Sequence, residues 1–243
     1  MTTHIDIKNL SYSYPDGTAA LKSLSLSFKE GQTHALIGAN GAGKSTLLLH
    51  LNGTVLPQCG SVFIRDCEVS KKTLYKVRQQ VGMVFQNPDD QLFMSTVFDD
   101  VAFGPSNMGM KEEMINECVD SALNQVGLKH LAGRHPTHLS TGEKKRISIA
   151  TVLAMEPDIL VLDEPSAGLD PGARRMLINL LKSFAHTKII ATHDLDMALD
   201  TADTVTLLYQ GEIFAQGSPV EIFNDRKKLE QCGLEQPLSI SRY

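Results

Sequence analysis

The chain has 243 residues, of which 42% are hydrophobic, and it carries a formal net charge of -5 with an isoelectric point near 5.9. This length fits one sizeable domain, or one domain with a subdomain, and leaves little room for two independent domains. The basic residues are scattered in short clusters, which argues against a protein that coats nucleic acid with a basic face.

The cysteines and the hydropathy exclude further classes of protein. Cys59, Cys67, Cys118 and Cys232 are far apart and form no C-x-x-C pair, so neither a disulfide framework nor a zinc site is predicted. No apolar run approaches the roughly 18 residues of a membrane span, and the N-terminus lacks the basic and apolar parts of a signal peptide. We therefore expect a protein of the cytosol, or one that partners hold at a membrane.

Two stretches of alternating apolar residues, 4–14 and 21–28, predict antiparallel strands at the start of the chain. The first stretch ends at a turn, Pro15-Asp16-Gly17. Tyr14 lies just before this turn. Its ring either presents a face to a purine base or is an ordinary aromatic side chain on a strand.

A phosphate-binding loop follows, between an apolar strand at residues 33–37 and a leucine-rich helix at residues 47–51. It matches the pattern G-x-x-x-x-G-K-[ST]. Glycines let a phosphate chain approach the backbone N–H groups, the lysine adds a positive charge for the β- and γ-phosphates, and the serine offers a hydroxyl to Mg²⁺. The residues of this loop are Gly38, Ala39, Asn40, Gly41, Ala42, Gly43, Lys44, Ser45 and Thr46.

A short strand is predicted at residues 60–64, and a second apolar run at residues 81–85 ends at Gln86. Polar residues at the carboxyl ends of strands in open α/β sheets face the ligand crevice. Gln86 is therefore a candidate contact for the metal or for the attacking water.

Residues 87–139 change character and predict an inserted helical subdomain. Turn-forming residues come first, including Gly104-Pro105, and one amphipathic helix then runs from about residue 114 to Gly127. Three histidines follow in a loop rich in glycine and proline. Their irregular spacing, with no adjacent carboxylate or thiol, favours a solvated loop over a metal site. These histidines are His130, His135 and His138.

The sequence Leu-Ser-Thr-Gly-Glu at residues 139–143 begins another helix. Ser140 and Glu143 have the spacing of a capping box, which alone explains their presence. Alternatively, Ser140 and the backbone of Gly142 are directed at a phosphate by the helix N-terminus. The spacing does not decide which phosphate that is.

Four apolar residues at 159–162 predict a strand buried on both faces, and it ends in Asp163-Glu164. Adjacent carboxylates at the end of a strand point to opposite sides, so we expect different roles for them. Asp163 suits the Mg²⁺ shell and Glu164 suits a water beside the γ-phosphate. The other interpretation is a strand-end turn with Pro165.

The remaining elements complete an α/β pattern. Asp170-Pro171 begins a helix, and a strand at residues 188–192 ends at His193. Residues 204–215 predict a hairpin, and Ser218 caps a short helix, while the segment to Tyr243 carries little signal.

The order of these parts closely resembles the nucleotide-binding subunit of ATP-binding cassette (ABC) transporters, over roughly residues 4–217. By this resemblance, residues 38–46 match the Walker A loop, Gln86 the Q-loop, residues 139–143 the signature, residues 159–163 Walker B, Glu164 the catalytic carboxylate, residues 167–170 the D-loop and His193 the switch histidine. Tyr14 matches the aromatic residue that stacks on adenine, with Tyr12 as a possible substitute. Thr141 and Glu143 depart from the commonest signature, Leu-Ser-Gly-Gly-Gln.

The resemblance implies a fold and a reaction. The fold is a P-loop NTPase core (residues 1–86 and 155–217) with an antiparallel β subdomain, an inserted helical signature subdomain (residues 87–154) and a short C-terminal segment (residues 218–243). It implies ATP hydrolysis with Mg²⁺, catalysed by Glu164, His193 and Lys44. Ser45, Gln86 and Asp163 would hold the metal, and Ser140 and Gly142 would contact a nucleotide.

It also implies partners: a second ATPase subunit, identical or related, bound head to tail, and integral membrane transport subunits at the cytoplasmic face of the cell membrane. No nucleic acid is expected. Residues 87–93, 100–105 and 142–146 look like the ATPase of energy-coupling factor importers, and residues 138–145 lean toward the cobalt or nickel branch over the vitamin branch. The rival functions are a non-transport ABC ATPase and a P-loop kinase for a small molecule.

Overall fold

The computed structural model describes residues 3–240, which form two β-sheets and nine α-helices. The strands are β1 (Thr3–Ser13), β2 (Ala19–Lys29), β3 (Thr33–Ile37), β4 (Cys59–Ile64), β5 (Cys67–Glu68), β6 (Val81–Val84), β7 (Ile159–Asp163), β8 (Thr187–Ala191), β9 (Thr204–Tyr209) and β10 (Glu212–Gly217). The helices are α1 (Lys44–Leu51), α2 (Leu74–Gln80), α3 (Val97–Asn107), α4 (Glu112–Gln125), α5 (Thr141–Leu153), α6 (Pro171–Ser183), α7 (Leu195–Thr201), α8 (Pro219–Asn224) and α9 (Arg226–Gln231).

The first sheet has the strand order β2-β1-β4-β5 and is antiparallel throughout. Its apolar side chains, such as Ile5, Ile7 and Leu26, are buried against the core sheet and helix α1. Alternate residues of β2 face solvent, as expected for a sheet with one packed face. The prediction of antiparallel strands ahead of the phosphate-binding loop is confirmed.

The core sheet has the order β10-β9-β3-β8-β7-β6; β10 pairs with β9 antiparallel, and the other four pairs are parallel. All residues of β3, β6, β7 and β8 are buried, because both faces of this sheet are covered. The carboxyl ends of these parallel strands meet at one edge. That edge therefore brings together the segments that follow Ile37, Val84, Asp163 and Ala191.

The helical insert contains three main helices, α3, α4 and α5, around a core that includes Val97, Leu123 and Ile147. The sequence predicted α4 and α5, but the prediction of a turn at Gly104-Pro105 is wrong, because both residues lie in α3. Pro105 has no N–H to donate to the carbonyl oxygen of Val101, four residues earlier, and the helix ends two residues after it.

The C-terminal segment folds onto the core sheet beside β9. The predicted helix after Ser218 is confirmed as α8, with Ser218 and Glu221 in a capping box. The adjoining α9 was not predicted. Phe223 and Leu229 of these helices are buried against Ile37 of β3, so this segment contributes to the core.

The sequence predicted no membrane span, no disulfide framework and a solvated loop at the three histidines. Within residues 3–240, no helix combines the length and the apolar character that crossing a bilayer requires. The four cysteines are free thiols. The three loop histidines are exposed, and His135 caps a short turn by accepting a hydrogen bond from the Thr137 N–H at 3.3 Å.

A buried histidine, His34, makes the stability of the fold depend on pH. His34 of β3 is 3% exposed, its Nε2 lies 2.8 Å from the Thr206 hydroxyl, and its ring packs edge-on against Phe28. Burial lowers the pKa of His34 to about 4 from the usual 6.5. Between these values the unfolded chain binds a proton at this position and the folded chain does not, so stability falls as the pH falls through this window.

We expect His34→Gln to flatten the dependence of unfolding free energy on pH between 6.5 and 4, because glutamine cannot titrate. The native protein should lose about 3 kcal/mol more than the variant over this window. Urea unfolding at pH 7 and at pH 4.5 measures the difference. Parallel curves for the two proteins would show that His34 does not control acid stability.

Candidate functional site

The phosphate-binding loop joins β3 to α1 and packs closely against the backbone of other segments of the chain. A Cβ at Gly38 would come within 2.5 Å of the Leu208 carbonyl oxygen, and one at Gly43, where φ is +102°, within 2.6 Å of the Ala20 carbonyl oxygen. At these two positions the packing of the chain itself requires glycine. Gly41 differs: its φ is +80° and no atom lies within 4 Å of an added Cβ, so open space remains for a ligand there.

Lys44 is the buried cation of this loop. Its Nζ donates hydrogen bonds to the carbonyl oxygens of Gly38, at 2.7 Å, and Ala39, at 3.3 Å, and lies 3.9 Å from Glu164 Oε1. Burial lowers the pKa of Lys44, and the carboxylates of Glu164 and Asp163 oppose that effect. The ammonium group is thus fixed between the loop and a carboxylate.

Asp163 and Ser45 form a site that fits a divalent cation. Asp163 ends β7, and burial raises its pKa, although a hydrogen bond from the Ser45 hydroxyl acts in the opposite direction. Its Oδ1 atom is buried and has no hydrogen-bond partner among residues 3–240. An unsatisfied carboxylate oxygen beside a hydroxyl is the oxygen donor set that Mg²⁺ prefers.

Gln86 follows β6 at the same edge of the sheet, and its side chain is exposed. The Nζ of Lys145 donates to its backbone carbonyl oxygen at 2.6 Å. In the part of the chain that the structure describes, no hydrogen bond joins the Gln86 side chain to Asp163 or Ser45. Its predicted metal contact therefore stays a prediction.

Glu164 and His193 form a close pair. Glu164 is 6% exposed, and its Oε2 lies 2.8 Å from His193 Nδ1 and accepts the His193 backbone N–H at 3.2 Å. With φ at +44°, Glu164 leaves the strand in the left-handed region. The two adjacent carboxylates consequently contact different groups: Asp163 contacts Ser45, whereas Glu164 contacts Lys44 and His193.

The two candidate tyrosines occupy different environments. Tyr14 is 38% exposed, and its hydroxyl lies 2.8 Å from that of Thr46 in the phosphate-binding loop. Tyr12 is partly buried and packs edge-on against Tyr14 and against buried His50. Tyr14 is therefore the one that borders the phosphate-binding loop with an exposed side chain.

The signature turn at the start of α5 forms the predicted capping box. Glu143 Oε2 accepts the Ser140 hydroxyl at 2.7 Å and the Ser140 backbone N–H at 2.8 Å, and these two bonds lower the pKa of Glu143. The capping bonds give the unusual Glu143 a structural role. Gly142 faces α6, where a Cβ would meet Ala173 at 3.1 Å. Within residues 3–240, no hydrogen bond joins Ser140 to the phosphate-binding loop of the same chain.

Sequence reasoning missed two charged residues near this site, because it treated them as parts of scattered basic clusters. Lys145 is 3% exposed and lies behind the Gln86 and Glu164 peptides. Arg174 donates to both carboxylate oxygens of Asp194, which follows His193, at 2.5 and 2.6 Å. Burial acts to raise the pKa of Asp194, but the hydrogen bonds and charge of Arg174, with the hydrogen bonds from the Met197 N–H and Ser166, together outweigh it and hold the pKa below its usual value. The sequence could have indicated both residues, because helical spacing puts each of them on the same side of its helix as buried apolar residues.

Comparison with known proteins agrees with this geometry. The ABC transporter family model matches residues 21–167, which is more than half of the chain. A putative ABC transporter ATP-binding protein of Geobacter sulfurreducens is 53% identical over 99% of this chain and 97% of its own length. The energy-coupling factor transporter ATP-binding protein EcfA of Methanothermobacter thermautotrophicus is 48% identical over 96% of this chain and 76% of its own length.

Solved structures agree as well. CbiO1 from Clostridium perfringens, described as part of the ABC transporter complex CbiONQ, superposes with a TM-score of 0.84 at 40% identity, covering 95% of this chain and 94% of that one. The dimeric ATP-binding cassette MJ0796, bound to ADP and phosphate, gives a TM-score of 0.79 at 27% identity over 88% and 98% of the two chains. The predicted fold and family are confirmed: the chain belongs to the ABC transporter family, as an ATP-hydrolysing subunit similar to those of energy-coupling factor transporters.

Proposed function

We propose that this chain binds MgATP, pairs head to tail with a second ATPase subunit, and powers an energy-coupling factor importer of cobalt or nickel ions. The observation that carries the proposal is the Glu164 carboxylate, which lies between Lys44 and His193 and directly follows Asp163, whose Oδ1 has no hydrogen-bond partner among residues 3–240. These residues would supply a base, a cation and a metal ligand at one edge of the core sheet.

Hydrolysis of ATP needs positioning and stabilisation of charge more than covalent chemistry. Lys44 is placed to stabilise charge on the transferred phosphoryl group, and Glu164 to polarise the attacking water. His193, 2.8 Å from Glu164, orients that carboxylate and the water. Tyr14 stacks on the adenine beside the phosphate-binding loop.

Ser45, Asp163 and Gln86 are the residues that would hold Mg²⁺. The Ser45 hydroxyl and the free Asp163 oxygen support the first two assignments, and the exposed Gln86 side chain lies at the same edge of the sheet. When bound with ATP, Mg²⁺ neutralises charge on the β- and γ-phosphates.

The second ATPase subunit would supply the signature turn. Ser140 and Gly142 make no hydrogen bond to the phosphate-binding loop of their own chain among the described residues, although their helix N-terminus suits an anion. The dimeric MJ0796 cassette supports pairing. We propose that Ser140 and Gly142 bind the ATP held by the partner's phosphate-binding loop, in a dimer of identical or related subunits.

The membrane subunits would dock at an apolar groove between α2 and α3. Tyr75, Phe93 and Phe103 line this groove and are 64%, 61% and 44% exposed, which is unusual for aromatic side chains of this size. Asp100, which is 3% exposed, also lines it, and its Oδ2 has no partner among residues 3–240. These features suit an amphipathic helix with a hydrogen-bond donor, presented at the cytoplasmic face of the membrane.

The transported substrate would be cobalt or nickel, supported by the motif at residues 138–145 and by the likeness to CbiO1. A vitamin importer of the same type is the alternative. Co-purification of the untagged membrane subunits with this chain, followed by uptake into proteoliposomes, separates the two. ATP-dependent uptake of cobalt or nickel supports the proposal, whereas uptake of a vitamin alone contradicts it.

We expect Glu164→Gln to leave ATP affinity within about twofold of the native value, because the amide keeps the shape of the carboxylate. Turnover should fall at least 100-fold, on the order of the loss of a general base, and a closed ATP-bound dimer should accumulate. Phosphate release and size-exclusion chromatography with ATP measure both effects. Near-normal hydrolysis would remove Glu164 from this role. Lys44→Ala is the contrasting variant, since it should weaken the binding of ATP.

We expect Tyr14→Ala to weaken ATP binding by roughly tenfold, since base stacking on an aromatic ring contributes about 1–3 kcal/mol. Tyr14→Phe keeps the ring and should bind as the native protein does. Tyr12→Ala is the matched control and should lower the melting temperature more than the affinity, because Tyr12 packs against His50. Titration with a fluorescent ATP analogue decides; weaker binding by Tyr12→Ala alone would reverse the assignment.

We expect Phe103→Glu to prevent co-purification of the membrane subunits, because a charge would enter the apolar groove. ATP affinity should be unchanged, since Phe103 lies outside the nucleotide site. Phe214→Glu is the control, because Phe214 is a similarly exposed aromatic residue, at 40%, on strand β10. If Phe103→Glu co-purifies normally, the groove is not the docking site.

A further inference from the structure

Lys145 is a buried cation whose ammonium group contacts backbone oxygens instead of a carboxylate. It lies on α5 and is 3% exposed. Its Nζ donates to the carbonyl oxygen of Gln86 at 2.6 Å and to that of Glu164 at 3.1 Å. One side chain of the signature helix therefore links the two segments that follow β6 and β7.

Keeping this charge inside the protein is costly. Burial lowers the pKa of Lys145, although the carboxylates of Glu164 and Asp163 oppose the effect. Lys129, by contrast, is 51% exposed and is paired with Asp120. The two hydrogen bonds to Gln86 and Glu164 are what compensates for the burial of Lys145.

A second set of contacts ties the same helix to the segment after β6. Gln91 accepts the Phe85 N–H at 3.1 Å and donates to the Ser148 carbonyl oxygen at 2.8 Å and to the Thr151 hydroxyl at 2.7 Å. Ser148 and Thr151 lie on α5, one and two turns beyond Lys145. Hydrogen bonds thus join residues 85–91 to several positions along α5, and this segment should move with the helix.

These contacts bear on function because Lys145 lies on α5, the helix that begins with the signature turn. Ser140 and Gly142, at the start of the helix, are proposed above to bind the ATP of the partner subunit. Lys145 lies four residues after the first residue of the helix, a rise of about 6 Å. One rigid helix therefore carries the proposed contact to the partner's ATP at its N-terminus and, one turn later, the contact to Glu164 of its own chain.

We propose that Lys145 is a positioning residue that couples the two ATP sites of the dimer, by tying the signature helix to the catalytic Glu164 of the same chain. The inference rests on the proposed function, since it requires the head-to-tail dimer. When Ser140 and Gly142 engage the partner's ATP, α5 is fixed, and Lys145 fixes the Glu164 carbonyl. The carboxylate of Glu164 then holds its place beside His193.

The test compares Lys145→Met and Lys145→Arg with the native chain, each co-purified with its membrane subunits in proteoliposomes. Methionine keeps the unbranched stem and removes the donors, whereas arginine restores donors. We expect kcat of Lys145→Met to fall roughly ten- to a hundredfold, the size of effect that a misplaced catalytic group produces. The Kd for ATP should stay within about twofold, because among residues 3–240 no hydrogen bond or ion pair joins Lys145 to the phosphate-binding loop. The Hill coefficient for ATP, which two coupled sites can raise to at most about 2, should fall toward 1, and Lys145→Arg should recover most of both kcat and the Hill coefficient.

Lys129→Met is the matched control, since it makes the same change at an exposed position of the same subdomain, and it should behave as the native chain. The inference is overturned if Lys145→Met hydrolyses ATP within twofold of the native rate, if its affinity falls as much as its kcat, or if its Hill coefficient is unchanged. A native assembly that releases no phosphate would instead remove the proposed function, and the inference with it. Thermal unfolding of each variant identifies a loss that comes only from misfolding.

Discussion

Glu164 leaves the core sheet in a left-handed conformation, and the arrangement of the site depends on this one peptide. A positive φ in a residue other than glycine costs about 1–3 kcal/mol, so surrounding contacts must hold it. The Glu164 N–H donates to the Ala191 carbonyl oxygen at 2.8 Å, and its own carbonyl oxygen accepts from Lys145. The resulting turn separates the Glu164 carboxylate from that of Asp163. Two adjacent acids thereby contact different partners at the end of one strand.

The parts of this site that lie in continuous sequence could be predicted, because local chemistry determines them. The phosphate-binding loop between β3 and α1 follows from its glycines, and the buried run before Asp163 follows from its apolar residues. The capping box at Ser140 was also visible, since its two members lie three residues apart. The family resemblance then related these segments to one another and to His193, which spacing alone could not do.

The missed features depend on contacts between distant segments. Lys145 looks like part of a surface cluster in the sequence, and only the packing of α5 against the core sheet buries it. The bidentate pair of Arg174 and Asp194 joins residues 20 positions apart. Helix α3 was missed because its final turn contains Gly104 and Pro105, which are residues typical of turns. A sequence window does not contain the burial that decides such cases.

Lys44 illustrates how much of this site is organised by the protein alone. Its ammonium group already donates to the carbonyl oxygens of Gly38 and Ala39, so a long and otherwise mobile side chain is confined to one rotamer. The entropy of ordering it is lost when the chain folds and does not recur with each catalytic cycle. In the proposed function, an incoming triphosphate would meet a cation that is already in position, and its binding would exchange hydrogen-bond acceptors at Nζ.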